Sequence, residues 1–594
     1  MQATNYSDLN EVLAKSVAEH QHRNAFGTKR DGQWDWITYG ELGKRVDDFR
    51  GGLAKLGISQ GDTVAIISSN RVEWAVAAYA TYGLGARFCP MYETQLPKDW
   101  EYIINDSGAK VLLVSTYAIY EETRDWTREI DSLENVFCMA LPSEDVASFE
   151  SLERNGREHP TEAVDIDTNW TCGFIYTSGT TGKPKGVLLS HSNICSNLNG
   201  ISTIFPVDHS DVSVSFLPWA HSFGQTCELH CLVSRGAAIA IAESVEKLVD
   251  NFGEVRPTLM YAVPRIFNRI YDGVQKKMAA GGLKKVLFDA AMSNAAERKR
   301  LAAQGRTSGL VEAKHKMLDK VVLSKVRDRF GGRVRYAVSG GAALSPEVGE
   351  FIDNLGIIVC EGYGLTETSP IATANHPGAR KIGSVGKPIN GVEIIIDQSV
   401  VEDEDSKDGE ILVKGPNVMQ GYHNLPDKTA EVIREDGAFR TGDLGRLDED
   451  GFLYITGRIK EQYKLENGKY VVPVPLEEGL QLSGFIAQAF IHGFNKPFNV
   501  ALLVPDREAT EGFAKQNGLS GDYADILRHP KIQRLFEEQL EEHSKDFKGY
   551  ERVRAFALIA EEFTVDNGLL TPKMSVKRNQ VMDRYAKELE ALHG

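Results

Sequence analysis

The segment Tyr176–Val187, with the sequence YTSGTTGKPKGV, concentrates side chains and glycines that suit the binding of a polyphosphate. Its glycines, hydroxyl residues and lysines are Gly179, Gly182 and Gly186, Thr177, Ser178, Thr180 and Thr181, and Lys183 and Lys185. Glycines let backbone N–H groups approach an anion closely, and the hydroxyls add further donors. The segment is not a P-loop, because that motif has Ser or Thr after its Gly-Lys pair and Pro184 follows here. A glycine-rich surface turn is the alternative, but a string of this length favours a phosphate-binding loop.

An α/β framework is predicted to position this loop, because strand-like apolar runs alternate with helical stretches through most of the N-terminal two thirds of the chain. Thr63–Ser68 (TVAIIS) is typical of a buried strand, and Arg71–Gly83 follows it with helical spacing. Further strands are predicted at Lys110–Ser115, Ala237–Ala242 and Gly356–Cys360.

The chain changes character in three places. Between Asp272 and Phe330 it is rich in Lys, Arg and Ala without strand signals, which predicts one or two solvent-facing helices rather than a nucleic-acid surface. The acidic run within Val400–Gly409 predicts a turn between strands. After Gly451–Gly457 (GFLYITG) the sequence becomes richer in Glu and Lys, so we expect a domain boundary near Thr456–Lys460.

Length, charge and cysteine content narrow the class of protein. A chain of 594 residues is expected to form several packed units. Its net charge of −16 argues against nucleic-acid binding through a generally basic surface. Seven scattered cysteines predict reduced, mostly buried thiols. Met1–His20 lacks the features of a signal peptide and no apolar run reaches the length of a membrane span, so we expect a cytoplasmic protein. Peripheral contact with a membrane and a homodimer remain open.

The string Tyr176–Val187 resembles the phosphate-binding signature of the adenylate-forming superfamily, which includes acyl-CoA synthetases, peptide-synthetase adenylation domains and beetle luciferases. The resemblance extends over roughly Asn5 to Arg578. It implies an α/β protein with a large N-terminal adenylation domain, residues 1–457, that contains mixed sheets flanked by helices. It also implies a small, mobile α+β C-terminal domain, residues 458–594, that turns about a hinge between two half-reactions.

Five further strings resemble motifs of the superfamily: FLPWAHSFG at Phe216–Gly224, SGGA at Ser339–Ala342, EGYGLTET at Glu361–Thr368, TGD at Thr441–Asp443 and GRIK at Gly457–Lys460. By this resemblance the nucleotide-binding residues are Thr177, Ser178, Gly179, Thr180, Thr181, Gly182, Lys183, Gly340, Gly341, Ala342, Glu361, Gly362, Tyr363, Gly364, Thr366, Asp443 and Arg458. It places His221 near the carboxylate, Trp219 and Gly341 at the acyl pocket, Thr366 near the α-phosphate, and Lys460 at the hinge. Thr177 and Glu367 are the implied metal ligands.

Two of these assignments also follow the chemistry of the side chains. A carboxylate accepts hydrogen bonds from two ribose hydroxyls, which suits Asp443. A carboxylate beside a triphosphate is reasonable mainly with Mg²⁺ between them, which suits Glu367. Taken singly, Asp443 could be a turn residue and Glu367 a helix-start residue. The motifs together, in the superfamily's order, favour the functional assignment.

A fatty acid substrate is implied by resemblance to the long-chain acyl-CoA synthetase branch. The strings that carry it are Tyr261–Tyr271 (YAVPRIFNRIY), Arg333–Pro346, Ile382–Gly391 and Lys464–Pro473, together with the long helical insertion. The implied reaction forms an acyl-adenylate from the fatty acid and ATP and then transfers the acyl group to CoA. Mg²⁺ is the implied cofactor, and ATP and CoA are co-substrates.

The C-terminal motif departs from the pattern. The superfamily usually has a string like LTPTxKxKR, whereas Leu570–Arg578 is LTPKMSVKR, with Ser575 at the position of the adenylation lysine. A serine cannot supply a cation. Lys573 could reach the same point if the segment is extended, since residues two apart share a face of a strand. Lys464 could carry more of the catalysis instead, or adenylation could be slow. We favour Lys573.

Two other functions remain in competition. One is a ligase for aryl or medium-chain acids, or for the thiol of a carrier protein, although no carrier domain is evident after Arg578. The other is a non-catalytic sensor of a nucleotide or an acyl-adenylate, for which Ser575 is the motivation.

Overall fold

The computed structural model describes residues 5–177, 183–279, 281–401, 406–571 and 575–594. The chain forms two compact units. The first unit contains Met1–Ile395, Leu412–Thr441 and Asp448–Leu453, and the second contains Ile396–Ile411, Gly442–Leu447 and Tyr454–Gly594. The chain passes between them within four strands, which are Glu393–Asp397, Gly409–Lys414, Phe439–Leu447 and Leu453–Arg458.

A nine-stranded sheet of the first unit has six parallel inner strands and antiparallel strands at its edges. In spatial order the strands are Lys387–Pro388, Ile371–Ala374, Ile358–Gly364, Tyr336–Ser339, Leu259–Ala262, Val212–Ser215, Ala238–Ile241, Asn24–Arg30 and Gln33–Thr38. Ligands of open α/β sheets bind outside the carboxyl ends of such parallel strands. The residues after Ser339 and the end of Ile358–Gly364 lie at this edge.

A seven-stranded sheet of the same unit holds five parallel strands and two antiparallel ones. In spatial order they are Gly421–Tyr422, Lys185–Ser190, Thr171–Thr177, Arg87–Met91, Thr63–Ile67, Ala109–Val114 and Asn135–Cys138. All five residues of Thr63–Ile67 are buried, as expected for a central parallel strand covered on both faces.

The predicted α/β class is confirmed, and the predicted elements lie close to the observed ones. The strand predicted at Thr63–Ser68 ends at Ile67, and the helix predicted from Arg71 begins at Val72. The strands predicted at Lys110–Ser115, Ala237–Ala242 and Gly356–Cys360 are observed at Ala109–Val114, Ala238–Ile241 and Ile358–Gly364.

Helices surround these sheets. A capping box begins the helix Tyr39–Lys55. The Thr38 side chain accepts a hydrogen bond from the Glu41 N–H, and the Glu41 carboxylate accepts one from the Thr38 N–H. The other α-helices of the first unit outside the insertion are Leu9–His20, Val72–Gly83, Pro97–Ser107, Tyr117–Thr123, Phe149–Glu158, His191–Ser202, Cys231–Val233, Leu248–Val255, Pro346–Asn354 and Pro426–Val432. A π-helix covers Phe223–His230, and short 3₁₀ turns cover Arg124–Arg128, Thr366–Thr368 and Gln398–Val400.

The helical insertion contains more helices than the one or two predicted. It runs through Pro264–Ala279, Gly282–Ala303, Gly309–Leu318, the π-helix Asp319–Leu323, Ser324–Arg327 and the 3₁₀ turn Asp328–Phe330. Gly281 and Gly282 both have positive φ, a conformation that ends a right-handed helix and that glycine adopts without strain. Among the described residues no helix is both long and apolar enough to cross a membrane.

The second unit has a three-stranded sheet in which Ile486–His492 is antiparallel to Asn499–Pro505, and Asn499–Pro505 is parallel to Val553–Leu558. A small ribbon pairs Tyr463–Lys464 with Tyr470–Val471. Its helices are Pro473–Leu480, Arg507–Gln516, Tyr523–Arg528, Pro530–His543, Arg578–Arg584 and Ala586–Ala591. The seven cysteines of the chain are free and buried, as predicted.

Candidate functional site

The two strands on either side of the predicted phosphate loop pair with each other. Strand Thr171–Thr177 is antiparallel to Lys185–Ser190, with Thr177 opposite Lys185, and we call these two strands the phosphate hairpin. The predicted binding residues Ser178, Gly179, Thr180, Thr181 and Gly182 lie outside the described residues. The hairpin therefore brings Thr177, Lys183 and Lys185 to one place, at the carboxyl end of a parallel strand.

Helix Pro97–Ser107 supports this hairpin through two residues one turn apart. The Tyr176 hydroxyl donates to Oδ2 of Asp106 at 2.7 Å, and Lys183 Nζ lies 4.8 Å from the centre of the Tyr102 ring. Burial raises the pKa of Tyr176 well above its usual value, and the hydrogen bond to Asp106 raises it further, so the phenol stays a donor. His423 Nε2 lies 2.9 Å from the Asp106 carbonyl oxygen. These contacts fix both strands next to the loop.

The adenine motif ends the strand Ile358–Gly364, which pairs antiparallel with Ile371–Ala374. A Cβ atom at Gly364 would overlap the Pro370 carbonyl oxygen, so only glycine fits at this position. Glu361 is buried in the same strand, and burial raises its pKa to about 7. Gly362 and Tyr363 lie between these two positions and are half-buried.

The predicted metal ligand Glu367 is joined to the phosphate hairpin through Tyr422. The Tyr422 hydroxyl donates to Oε1 of Glu367 at 2.9 Å, and Lys185 Nζ lies 3.9 Å from the centre of the same ring. Tyr422 is placed there because Gly421–Tyr422 pairs with Lys185–Ser190, with Tyr422 opposite Val187. Burial and the nearby carboxylate both raise the pKa of Tyr422 well above its usual value, so the phenol remains protonated.

The substrate-side motif meets the adenine motif at a pair of hydroxyls. Ser222 Oγ lies 3.2 Å from Oγ1 of Thr366, and both side chains are buried. The backbone N–H of Phe223 donates to Nδ1 of His221 at 3.1 Å, which places the ring proton of a neutral His221 on Nε2. A Cβ atom at Gly340 would lie 3.3 Å from the Phe223 ring, so the SGGA turn lies against the same segment. Gly341 and Ala342 continue this turn.

Trp219, the predicted acyl-pocket residue, lies in the core. Its indole is fully buried beside the rings of Trp74 and Phe26, with centroid distances of 5.6 and 5.8 Å. The indole N–H donates to Ser215 Oγ at 3.0 Å, and Ser215 in turn donates to Oε2 of Glu228 at 2.6 Å. These contacts hold the substrate-side motif against the core of the first unit. The assignment of Trp219 to the acyl pocket stays a prediction.

Glu228 is a buried carboxyl group that the sequence did not single out. It accepts from Ser213 and Ser215, and burial raises its pKa from 4.5 to about 7. The folded protein therefore binds a proton here between pH 4.5 and 7 that the unfolded chain releases. The contribution of Glu228 to stability is fully present below about pH 4.5 and falls as the pH rises to about 7.

Two predicted nucleotide ligands form an ion pair in the second unit. Arg458 Nε lies 2.8 Å from Oδ1 of Asp443, whose side chain is buried, while the arginine side chain is half-exposed. Lys460, the predicted hinge residue, lies two residues after the end of the strand Leu453–Arg458. Lys464 lies in the small ribbon, and its Nζ is 4.8 Å from the centre of the Tyr470 ring on the opposite strand.

The described ends of the C-terminal motif, which departs from the superfamily's pattern, pair with each other. Thr571 N–H donates to the Ser575 carbonyl, Ser575 N–H donates to Thr571 Oγ1, and Leu570 bridges Val576. The expectation that the segment between them is extended stays a prediction. Lys573 itself lies outside the described residues.

The Arg578 guanidinium anchors the end of this motif. It lies 2.8 and 3.0 Å from the two carboxylate oxygens of the buried Glu477, and it also donates to the Ile491 carbonyl. Removal of this arginine would leave the Glu477 carboxylate buried without its partner, which lowers the free energy of unfolding by about 3–5 kcal/mol. The helix Arg578–Arg584 is therefore held to the strand Ile486–His492 of the three-stranded sheet and to Glu477.

The donor set around Glu367 fits a magnesium ion. Among the described residues there is no cluster of three or more His, Cys, Asp or Glu that could form an all-protein metal cage. Mg²⁺ does not require one, because it is usually held by one or two carboxylates together with substrate phosphates and water. Glu367 supplies such a carboxylate beside the phosphate hairpin, with Tyr422 bonded to one oxygen.

The sequence did not identify Tyr102, Asp106, Ser222 or Tyr422. Tyr422 and Asp106 reach the site because strands and helices from distant parts of the chain pack together. Neither residue lies in a sequence motif that indicates chemistry. Ser222 lies inside the quoted FLPWAHSFG string and could have been noted beside His221.

Comparison with known proteins gives matches over nearly the whole chain. The AMP-binding enzyme family matches residues 13–423, and the AMP-binding enzyme C-terminal domain matches residues 460–594. The long-chain-fatty-acid–CoA ligase FadD15 of Mycobacterium tuberculosis is 33% identical over 95% of this chain and 93% of its own length. The peroxisomal long chain acyl-CoA synthetase 7 of Arabidopsis thaliana is 32% identical over 95% of this chain and 82% of its own.

Solved structures share the fold at lower identity. The adenylation domain of a carboxylate reductase from Mycobacterium chelonae superposes with a TM-score of 0.78 and 23% identity, covering 98% of this chain and 91% of that one. The anthranilate CoA ligase AuaEII, in complex with anthranoyl-AMP, gives a TM-score of 0.74 at 19% identity and covers both chains fully. At this identity the likeness concerns the fold alone.

Proposed function

Because this chain belongs to the AMP-binding enzyme family, we propose that it is a long-chain fatty acid–CoA ligase that forms AMP. The assignment to the adenylate-forming superfamily made from the motifs is confirmed by the two family matches. The predicted substrate class agrees with the names of relatives from bacteria, plants and mammals that are 29–33% identical over 95–98% of this chain.

The reaction has two steps with separate demands on the protein. A carboxylate oxygen of the fatty acid attacks the α-phosphorus of ATP, and the bond to pyrophosphate breaks to leave an acyl-adenylate. The CoA thiolate then attacks the acyl carbon, the bond to AMP breaks, and the thiol proton goes to solvent. Both substrates of the first step are anions, so the site must offset their repulsion as charge develops.

The observation that carries this proposal is the link between the motifs in the first unit. Lys185, Tyr422 and Glu367 join the phosphate hairpin to the adenine motif, and Ser222 with Thr366 joins the adenine motif to the substrate side. A triphosphate and a carboxylate need such groups in one place, at the carboxyl ends of parallel strands.

Individual roles follow from position and chemistry. In this proposal Lys183 and Lys185 attract the phosphates, and the Thr366 hydroxyl donates to the α-phosphate. The Nε2–H of His221 is the donor for the fatty carboxylate. Glu367, with Thr177, holds Mg²⁺, which when bound supplies positive charge that offsets the phosphates.

The second unit supplies the remaining groups in this proposal. Asp443 holds the ribose hydroxyls, Arg458 neutralises the nucleotide, and Lys460 is the pivot between the proposed domains 1–457 and 458–594. Movement about such a pivot excludes water from a reactive intermediate and exchanges the faces used in the two steps. In the first step Lys573 supplies the cation that Ser575 cannot, with Lys464 as the competing candidate.

A non-catalytic sensor is the second candidate, and the serine at position 575 is the observation that favours it. The two functions are separated by fatty-acid-dependent exchange of radiolabelled pyrophosphate into ATP. A ligase exchanges label when a long-chain acid is present and CoA is absent, whereas a sensor binds ATP without exchange. A ligase for a carrier-protein thiol also exchanges label but does not consume free CoA.

A further inference from the structure

The turn that precedes His221 is held by the side chain of Asn70. Nδ2 of Asn70 donates to the Leu217 carbonyl oxygen at 2.7 Å, and its Oδ1 accepts from the Trp219 N–H at 2.8 Å. These two partners fix the orientation of the amide, because a carbonyl oxygen accepts and an N–H donates. Asn70 therefore forms a hydrogen bond on each side of Pro218.

This turn lies between two regular elements, the strand Val212–Ser215 and the π-helix Phe223–His230, and belongs to neither. Pro218 has no N–H to donate, and its carbonyl oxygen accepts from the His221 N–H at 3.0 Å. A Cβ atom at Gly224 would overlap the same carbonyl oxygen, so the start of the π-helix packs tightly against the turn. The position of the His221 backbone therefore follows the position of the turn.

Asn70 itself comes from the other large sheet of the first unit. It lies three residues after the end of the strand Thr63–Ile67, at the carboxyl edge of the seven-stranded sheet. The N–H of the preceding residue, Ser69, donates to Oε1 of Glu93 at 2.9 Å, and Glu93 follows the neighbouring parallel strand Arg87–Met91. The loop that carries Asn70 is therefore anchored to two strands of its own sheet.

The same sheet carries the phosphate hairpin, whose strand Thr171–Thr177 pairs in parallel with Arg87–Met91. His221, in contrast, follows the strand Val212–Ser215 of the nine-stranded sheet. The phosphate hairpin and His221 are therefore positioned by different sheets. The hydrogen bonds of Asn70 join the carboxyl edges of these two sheets.

A buried network extends this contact into the core. Ser215 Oγ accepts from Nδ2 of Asn70 at 3.1 Å and from the Trp219 indole N–H at 3.0 Å, and it donates to Oε2 of Glu228 at 2.6 Å. These three bonds use both acceptor sites and the one donor of the hydroxyl group, and both hydrogens of the Asn70 amide are used as well. Asn70 is thus held in the orientation that the turn requires.

We propose that Asn70 is a positioning residue that sets His221 relative to the phosphate hairpin. The consequence for the reaction rests on the proposed function. In that function the fatty carboxylate, bound by His221, attacks the α-phosphorus of an ATP that the phosphate hairpin holds. A displacement of about 1 Å in such an arrangement can cost about a hundredfold in rate. Asn70 acts through the turn and not on the substrates themselves.

Three variants of the full-length protein test the proposal. Asn70→Ala removes every hydrogen bond of the amide. Asn70→Asp keeps the shape of the side chain and the acceptor for the Trp219 N–H, but its carboxylate has no hydrogen to donate to the Leu217 carbonyl oxygen. Asn199→Ala is the matched control, because the half-buried amide of Asn199 also bonds a backbone N–H and a backbone carbonyl, those of Tyr6, at 2.8 and 2.9 Å.

Three measurements separate positioning from general damage. They are fatty-acid-dependent pyrophosphate exchange into ATP, the affinity for Mg-ATP by calorimetry, and the rate of amide hydrogen exchange in residues 214–224 by mass spectrometry. Both Asn70 variants should lose about tenfold or more of the maximal pyrophosphate exchange at unchanged affinity for Mg-ATP. In Asn70→Ala the amide hydrogens of the turn should exchange about tenfold faster, because the Trp219 N–H loses its acceptor. The control should match the wild type in all three measurements.

Wild-type pyrophosphate exchange in Asn70→Asp would overturn the proposal, since the shape of the side chain would then be sufficient. So would an unchanged rate of amide hydrogen exchange in Asn70→Ala, or a loss of Mg-ATP affinity as large as the loss of pyrophosphate exchange. A wild type that exchanges no pyrophosphate with any fatty acid would refute the ligase, and the amide hydrogen exchange of the turn would then decide on Asn70 alone.

Discussion

The hydrogen bond from Tyr422 to Glu367 is the contact through which the phosphate hairpin orients the proposed magnesium ligand. The substitution Tyr422→Phe removes only the hydroxyl, whose oxygen lies 2.9 Å from Oε1 of Glu367. The aromatic ring remains, so the contact with Lys185 Nζ at 3.9 Å is kept in weaker form. The change therefore isolates the hydrogen bond to the carboxylate.

The size of the effect follows from the charge of the acceptor. A hydrogen bond to a charged group contributes about 1.5–3 kcal/mol, and about 1.4 kcal/mol corresponds to tenfold in an equilibrium constant. Loss of a group that orients a metal ligand typically costs about tenfold to a hundredfold in metal affinity. We therefore expect Tyr422→Phe to raise the Mg²⁺ concentration for half-maximal activity by about tenfold or more.

Two measurements check this expectation. The first is the Mg²⁺ dependence of fatty-acid-dependent ATP–pyrophosphate exchange, and the second is the affinity for Mn²⁺ in the presence of ATP, read by electron paramagnetic resonance. Tyr271→Phe is the matched control, because it removes a 2.6 Å hydrogen bond from a tyrosine of the helical insertion to Glu347 in the helix Pro346–Asn354. It should leave both measurements unchanged.

An unchanged Mg²⁺ requirement in a folded Tyr422→Phe protein would refute the reasoning. So would an equal shift in the Tyr271→Phe control, since that would indicate a general effect of losing a tyrosine hydroxyl. A fall in maximal exchange at unchanged Mg²⁺ requirement would show that Tyr422 acts on a different part of the site.

Three further outcomes follow from the structure. Between about pH 5 and pH 8 the wild type should lose about 2–3 kcal/mol of unfolding free energy that Glu228→Gln keeps, because the wild type passes the raised pKa of Glu228 there. Urea unfolding of both proteins at both pH values measures this difference, and an equal change in the two proteins would contradict it. Gly364→Ala should abolish ATP binding by calorimetry, because the added methyl group overlaps the Pro370 carbonyl oxygen, and normal affinity would show that the strand can shift. Lys573→Ala should lose most pyrophosphate exchange, whereas the control Lys587→Ala should keep it. Adding Ser575→Lys to the Lys573→Ala protein should restore exchange. Near-normal exchange by Lys573→Ala would rule out Lys573 as the source of the cation.

The sequence predicted elements well where local pattern determines them. The strand at Thr63–Ile67 and the helix from Val72 lie within a residue or two of their predicted limits, because an apolar run and a helical period are local properties. The sequence predicted that the insertion is helical but not how many helices it contains. The break at Gly281 and Gly282 depends on the backbone angles of these two glycines, which a periodic pattern does not reveal.

The site was predictable as a set of motifs but not as a network. Strings such as EGYGLTET identify residues by type and order, whereas Tyr422 reaches Glu367 only because its strand pairs with the one that carries Lys185. The same reason explains Trp219. Its place in the motif is visible in the sequence, but its burial against Trp74 and Phe26 depends on packing between distant segments.

Release of AMP by the purified protein, measured with Mg-ATP, CoA and a panel of short-, medium- and long-chain fatty acids, tests the central claim most directly. The proposed function predicts release that requires both CoA and a fatty acid and that is greatest with long chains, with long-chain acyl-CoA as the second product. Measurable ATP binding without AMP release for any acid in the panel would contradict the assignment and would favour a sensor of the nucleotide.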